Sequence, residues 1–445
     1  MGQYFHYKII KYRFNAVQNL LGTPLKVVIF KDEAMRGVQV DEYAFEWDKI
    51  QIKDNYKIIL AWLSLYAKES FSFHQIGESM SQISFFDLSL EDLEKLLKGL
   101  GKEKFRAQQL FKWVYERRVY EFDQMTNLSK DFREELPQFL DLSLPRVVSH
   151  LKSNIDGTQK FLFDVGDNDT IESVLIPSDD RLTLCVSSEV GCNMACKFCF
   201  TAKQKLKKRL TAAQIVGQFV QVLRTLPEGQ RISNIVFMGM GEPLDNPDAV
   251  FKSIEILGSD WGLNVSRRKI TVSTSGLVPE MWRVAAAKVR LAVSLNGSTE
   301  EIRSQVMPIN RKYPLEDLLK ACREHARVTR DKITFEYVLL KGVTDSLEDA
   351  RRLHLMTKNI PCKINIIPFN EHPQSGYTRP SEETVKQFQD ELIRVGAHVL
   401  LRKTMGRDIY AACGQLNATY KDHPGRLNLS PGTSSATEIY ATPAI

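Results

Sequence analysis

A chain of 445 residues with 43% hydrophobic and 26% charged residues has the composition of a globular protein and is long enough for two or three domains. Its net charge of +6 is mild for this length, compatible with a nucleic-acid partner and decisive of nothing by itself. The longest apolar run, around Ile58 to Ala67, is too short to span a bilayer. Seven cysteines without a secretory signal point to a reducing, cytoplasmic compartment rather than a disulfide framework.

In chain order, residues 1–79 match no pattern that can be placed. Two readings stay open: a genuine accessory domain, or a mis-assigned start upstream of Met80, with Gly77-Glu78 as the translated trace of a purine-rich ribosome-binding site. Acidic Asp32, Glu33, Asp41 and Glu42 argue against an organelle transit peptide. Residues 80–145 read as a helical accessory module: the pattern runs over Leu88 to Leu136, breaks at Gly99-Leu100-Gly101, and offers an apolar face of Phe105, Leu110, Phe111, Trp113 and Val114. RNA contact is a secondary expectation for its basic residues. Within 146–180, two β-rich runs, Gln159 to Val165 and Thr170 to Ile176, flank the turn Gly166-Asp-Asn-Asp169 and predict a β-hairpin packed near the entrance of the next domain.

From Leu182 onward, short β-rich runs alternate with amphipathic helical patterns, the mark of parallel βα units. Strands are predicted at Leu182 to Val186, Asn234 to Gly239, Lys269 to Ser273, Val289 to Ser294, Ile333 to Leu339 and Ile364 to Pro368. Six such strands predict an α/β fold, an open or partial barrel over 181–420. Thr211 caps a helix whose Ile215, Val216, Phe219, Val220 and Leu223 share one face, and Ser346 and Ser381 open two more helices. Residues 421–445, rich in Ser, Thr, Pro and Gly from Leu427, are expected to be disordered.

Chemistry concentrates just past the first barrel strand, where Gly191-Cys-Asn-Met-Ala-Cys-Lys-Phe-Cys-Phe200 spaces Cys192, Cys196 and Cys199 as C-x3-C-x2-C. Structural zinc takes four N or S ligands, and no second cysteine pair or nearby His stands here. A 4Fe–4S cluster takes one protein ligand per iron, so three thiolates leave one iron open to a small molecule. A strand end is also where βα barrels place their chemistry. Lys203, Lys205, Lys207, Lys208 and Arg209 crowd after the triplet, and Arg402, Lys403 and Arg407 precede Cys413. A solvated basic face is the plain reading of either run, while their place beside candidate catalytic cysteines favours phosphate contact.

With Phe198 before its third cysteine, the triplet resembles that of the radical S-adenosylmethionine (SAM) superfamily. Four further segments narrow the resemblance to the RlmN/Cfr family of RNA adenosine methyltransferases, from about Phe86 to Tyr420. The resemblance implies a partial (β/α)6 radical SAM barrel with a 4Fe–4S cluster on Cys192, Cys196 and Cys199, whose open iron SAM chelates before cleavage to a 5′-deoxyadenosyl radical. Cys413, in Asp408-Ile-Tyr-Ala-Ala-Cys-Gly-Gln-Leu416, is implied as the methyl carrier through S-methylcysteine. Cys185 reads plainly as a buried strand residue; by resemblance it attacks the carrier sulfur and releases product through a transient disulfide. Glu172, in Thr170-Ile-Glu-Ser-Val174, is implied as the base that takes the ring proton. Gly241 and Glu242 of Met238-Gly-Met-Gly-Glu-Pro243, with Ser273, Ser294-Leu295-Asn296 and Asn370, match SAM-contacting positions. Cys322 and Cys362 match no such position and are assigned to packing.

Two SAM molecules per turnover are implied. The substrates implied are 23S rRNA and tRNA, methylated at C2 of a peptidyl-transferase-centre adenosine and of the adenosine beside the anticodon. An electron donor such as flavodoxin or ferredoxin is required, and a cytoplasmic monomer with no membrane contact is expected. C8 methylation of the same rRNA adenosine and radical chemistry on a peptide are the alternatives; a methyl-carrying Cys413 speaks against the second. Phe200 departs from the serine common here in the C2 enzymes.

Overall fold

Ten strands lie side by side in one sheet in the order in which the chain makes them. They are β1 (Arg146–Lys152), β2 (Gln159–Asp164), β3 (Thr170–Ser178), β4 (Arg181–Cys185), β5 (Asn234–Phe237), β6 (Ile270–Thr274), β7 (Arg290–Ser294), β8 (Ile333–Leu339), β9 (Cys362–Pro368) and β10 (Val399–Leu401). The computed structural model describes residues 82–179 and 181–418, with the backbone of an antiparallel pair, Val28–Ile29 and Asp41–Glu42. The chain divides into two units, Met1–Ser79 and Met80–Ile445. Apart from that strand pair, the expectations for residues 1–79 and 421–445 fall outside the described residues.

From β4 to β10 every pairing is parallel, and β1 to β4 are joined by antiparallel pairings. The six predicted barrel strands are β4 to β9, each within two residues of its expected start. Two features differ from the expectation. The expected hairpin extends the barrel sheet, β3 pairing with β4 through Val174 and Cys185, and an unexpected strand, β1, pairs with β2 outside it. A three-residue seventh parallel strand, β10, pairs with β9 and is too short to show a period. The hairpin turn forms as its residues dictate, with Gly166, Asp167 and Asn168 all at positive φ.

Helices cross over between the parallel strands. α4 (Ala212–Arg224) opens on Thr211, whose side chain accepts from the Gln214 N–H while the Gln214 side chain returns to the Thr211 N–H. All five residues of its predicted face are buried, each contributing about 1.5–3 kcal/mol in transfer terms. Ser346 and Ser381 cap the helices Leu347–Thr357 and Glu382–Arg394 as expected.

The helical module comprises α1 (Leu90–Gly99), α2 (Phe105–Phe111) continued by a π-turn, and α3 (Lys130–Glu135). Phe85, Phe86, Phe111 and Tyr115 form its aromatic core with ring centroids 5.1–6.0 Å apart. Phe105, expected on the buried face, is 48% exposed, because it opens α2 at its outer end. Asp87 Oδ1 accepts the Ala213 N–H at the start of α4 (2.6 Å), which anchors the module to the barrel.

Candidate active site

The loop after β4 is shaped around its three cysteines by main-chain bonds. Cys192 N–H donates to Gln204 O (3.1 Å), Lys197 N–H to Val306 O (2.9 Å) and Cys199 N–H to Cys196 O (3.2 Å). Gly191, at φ +81°, admits no side chain, since a Cβ there would sit 2.3 Å from Lys205 O. Behind the loop, buried Gln218 of α4 accepts from Ser173 Oγ (2.6 Å) and Ser187 N–H (2.8 Å) and donates to Ser187 O (3.0 Å). One amide therefore ties the body of β3 to the loop that leaves β4.

Cys192, Cys196 and Cys199 line a single cavity at the carboxyl ends of β4 to β9. Cys185, Cys413, Gly241, Glu242, Ser273, Ser294 and Asn296 line the same cavity, so ten of the predicted residues converge there. Three do not. Leu295 is fully buried, its N–H bonded to Glu336 O (2.9 Å), because the pleat turns it opposite Ser294 and Asn296. Asn370 instead braces the Cys413 loop, its Nδ2 donating to Cys413 O (3.1 Å) and its Oδ1 accepting from Thr404 (3.2 Å). Glu172 stands on the same face of β3 as Val174 and Ile176, which line the cavity, yet is itself covered: Oε1 lies 3.2 Å from Lys160 Nζ and Oε2 accepts the Asn417 N–H (2.9 Å).

The donor set fits a metal cluster. Burial pushes the Cys192, Cys196 and Cys199 thiols up, so only a bound cation makes thiolates of them at neutral pH. Among the described residues no three His, Cys, Asp or Glu side chains converge on one ion, as zinc demands; a cubane, with one thiolate per iron, does not require that. The cavity also fits SAM. Gly239 and Gly241 line it and admit no side chain, since a Cβ would meet Val186 O at 2.6 Å and Glu189 Cβ at 2.5 Å respectively, which leaves bare backbone at the wall. Glu242 is buried and accepts from Ser275 N–H (2.7 Å) and Leu244 N–H (3.1 Å), while Ser275 Oγ is buried without a partner on the cavity wall. An incoming amino or hydroxyl group would satisfy that oxygen.

Cys413 is open to the cavity yet enclosed by protein, and this desolvation raises its thiol, as burial raises that of Cys185 to about 12. Arg402 opposes the shift at both thiols, as expected of a cation beside them. That is a different role from the phosphate contact expected of it: its Nη1 lies 3.6 Å from Glu336 Oε2 and it lines the cavity. The basic run after the triplet is likewise partly engaged, with Lys207 on Asp169, Lys208 on Asp167 and Arg209 on Asp245, while Lys203 and Lys205 are exposed.

Sequence reading missed Glu336, Ser275 and Arg303. Glu336 carried a signal, being one acid in the wholly buried strand β8. Fully buried Arg303 of the helix Glu300–Val306 donates to Leu295 O (3.0 Å), Asn310 Oδ1 (2.8 Å), Ser275 O (2.6 Å) and Ser294 O (3.3 Å). It holds the ends of β6 and β7 at the cavity wall.

Residues 186–354 match the radical SAM superfamily, and residues 83–141 match a ribosomal RNA large subunit methyltransferase N-terminal domain. The chain is 67% identical over 348 residues to a dual-specificity RNA methyltransferase RlmN of Bdellovibrio bacteriovorus, covering 78% of this chain and 87% of that one. It is 48% identical over 338 residues to the RlmN of Geotalea uraniireducens, covering 76% and 97%. The crystal structure of a radical SAM methyltransferase from Sphaerobacter thermophilus superposes with a TM-score of 0.73 at 41% identity, covering 76% of this chain and 99% of that one.

Proposed function

The chain belongs to the RlmN family of dual-specificity radical SAM RNA methyltransferases, and from that premise we propose how its residues divide the chemistry. It methylates adenine C2 in 23S rRNA and tRNA, with a 4Fe–4S cluster and two SAM molecules per turnover. The observation that carries the assignment of roles is that Cys185 and Cys413, far apart in sequence, line the cavity of the cysteine triplet.

Cys192, Cys196 and Cys199 hold the cluster. The Gly239 and Gly241 backbone with Glu242, Ser273, Ser275, Ser294 and Asn296 holds SAM. When bound, these groups supply the methyl group and a one-electron route for taking hydrogen from it. Cys413 carries the methyl carbon until it is joined to adenine C2. The C2 proton then passes to Glu172 as the adduct gives back one electron along the same one-electron route, which leaves a closed-shell thioether between Cys413 and C2. Cys185, losing its thiol proton, bonds to the Cys413 sulfur, the carbon–sulfur bond breaks with its electron pair on carbon, and that carbon takes up a proton to become the product methyl. Both thiols are free here, the state in which the cycle begins. A dithiol reductant reopens the disulfide, and flavodoxin or ferredoxin supplies the single electrons. The target adenine must leave its stack, at a cost of about a few kcal/mol that contacts to the surrounding RNA offset, those of the helical module included.

Digestion of RNA from cells with and without the gene tests this: 2-methyladenosine should disappear from 23S rRNA and tRNA on deletion. Loss of 8-methyladenosine instead would establish C8 chemistry, and loss of neither would overturn the assignment. Mass spectrometry of the reduced, SAM-treated protein should find one methyl group on Cys413.

A further inference from the structure

Lys160 of β2 is 3% exposed and lies against Glu172 of β3. Burying such a pair is costly, and apolar side chains of similar size commonly serve a fold as well or better, so the pair calls for a reason beyond stability. Its geometry supplies one. In the antiparallel register Lys160 faces Val174 and Leu162 faces Glu172, which puts Lys160 and Glu172 diagonally on the face that carries Val174 into the cavity. Lys160 Nζ stands 3.2 Å from Glu172 Oε1 and donates to Tyr410 O at 3.3 Å. The other carboxylate oxygen accepts from Asn417 N–H at 2.9 Å. Tyr410 and Asn417 bracket Cys413 on its two sides, and Tyr410 is held at φ +50°, a conformation that non-glycine residues adopt rarely. Each oxygen of Glu172 is thereby tied to a different flank of the Cys413 loop.

We propose that Lys160 is a positioning residue that yokes the proton acceptor Glu172 to the loop carrying the methyl-bearing Cys413. The two must act on the same carbon centre in succession, and a carboxylate misplaced by about 1 Å costs up to about a hundredfold in rate. Lys160 keeps carboxylate and carrier in register when Asn417 gives way to the entering adenine. The proposal rests on the base role assigned to Glu172, and the experiment separates the two.

Purified, cluster-loaded enzyme is given SAM, reductant and a 23S rRNA fragment, and three species are followed: methylated Cys413 by mass spectrometry, the covalent protein–RNA adduct by denaturing gel, and released product. Lys160→Met should methylate Cys413 at the wild-type level, turn over about 10- to 100-fold more slowly with KM for RNA unchanged, and accumulate adduct. Lys160→Arg, which keeps the cation and its donors, should restore release. Glu172→Gln should accumulate adduct at least as strongly. If Glu172→Gln accumulates none, the base role falls and the yoke with it. If Glu172→Gln accumulates adduct and Lys160→Met does not, the yoke alone is overturned. An equal defect in Lys160→Met and Lys160→Arg, or a raised KM without adduct, makes Lys160 merely structural. Should Lys160→Met fail to fold, Lys160→Gln takes its place with the same readouts.

Discussion

Phe200 donates its backbone N–H to the carbonyl oxygen of Gly414 at 2.8 Å, so the loop that presents Cys199 is bonded to the loop that presents Cys413. Thr201 Oγ1 extends the seam to Leu416 O (2.7 Å), and Asn417 Nδ2 reaches back to Phe200 O (3.5 Å). The loops of Cys199 and Cys413 are therefore built as one piece, by one main-chain bond and two side-chain donors.

The Phe200 ring serves another purpose. It is fully buried and stacks on His372 at 4.6 Å and 11°, while His372 Nε2 lies 3.1 Å from Phe198 O. Phe200→Ala removes the ring from a packed site and should destabilise by about 3–5 kcal/mol, lowering Tm by about 4–7 °C. Activity per folded, cluster-loaded molecule should change little. Anaerobic thermal denaturation checks this, and an unshifted Tm would refute the packing argument.

What the sequence made legible was whatever is encoded locally. The cysteine spacing, the strand runs β4 to β9, the capped helices and the Gly166–Asp169 turn all declare themselves within a dozen residues. Ten predicted site residues converge because strand-end position and motif together specify direction. Leu295 and Asn370 show the limit: a motif names a neighbourhood, while the pleat and the hydrogen bonds decide which side chain faces the cavity. The covering of Glu172 by Asn417 joins residues far apart in the chain and has no local signature. Arg303 looked like any helix arginine until its four acceptors were in place.

Gly241 tests the SAM cradle. Its φ of +98° is strained for any side chain, and a Cβ would lie 2.5 Å from Glu189 Cβ. Gly241→Ala must move the loop that carries Glu242, and SAM affinity should weaken about tenfold or more, as 1.4 kcal/mol of misfit suffices. Equilibrium dialysis against the reconstituted enzyme measures it. Wild-type affinity would show that this loop does not hold SAM.

Arg303 should be the least replaceable charged residue of the wall. In Arg303→Met, three backbone carbonyls and Asn310 Oδ1 lose their buried donor, each at about 1–3 kcal/mol. A loss of about 4 kcal/mol or more is expected in urea denaturation. Arg303→Lys keeps the charge without the planar fork and should fall between the two. A Lys variant as stable as wild type would mean that the charge, not the fork, is what the site needs.

Glu189 predicts how stability depends on pH. Its carboxyl is pushed up to about 8, chiefly by burial, with Asp245 and Glu242 adding repulsion, against one favourable bond from the Glu242 N–H at 2.9 Å. Arg209 lies 3.8 Å from Glu189 Oε1, beyond hydrogen-bond reach, and spends its guanidinium on Asp245 at 2.9 Å, so desolvation wins. Between the ordinary carboxylate value of 4.5 and about 8 the folded protein holds a proton here that the unfolded chain releases. Stability from this group is therefore complete below the unfolded value and is lost as pH rises through about 8, by about 1.4 kcal/mol per unit at most. Glu189→Gln cannot ionise and should flatten the decline between pH 5 and 8. Urea unfolding of both proteins across that range measures the difference, and parallel curves would place the charge of Glu189 in water or on Arg209 instead.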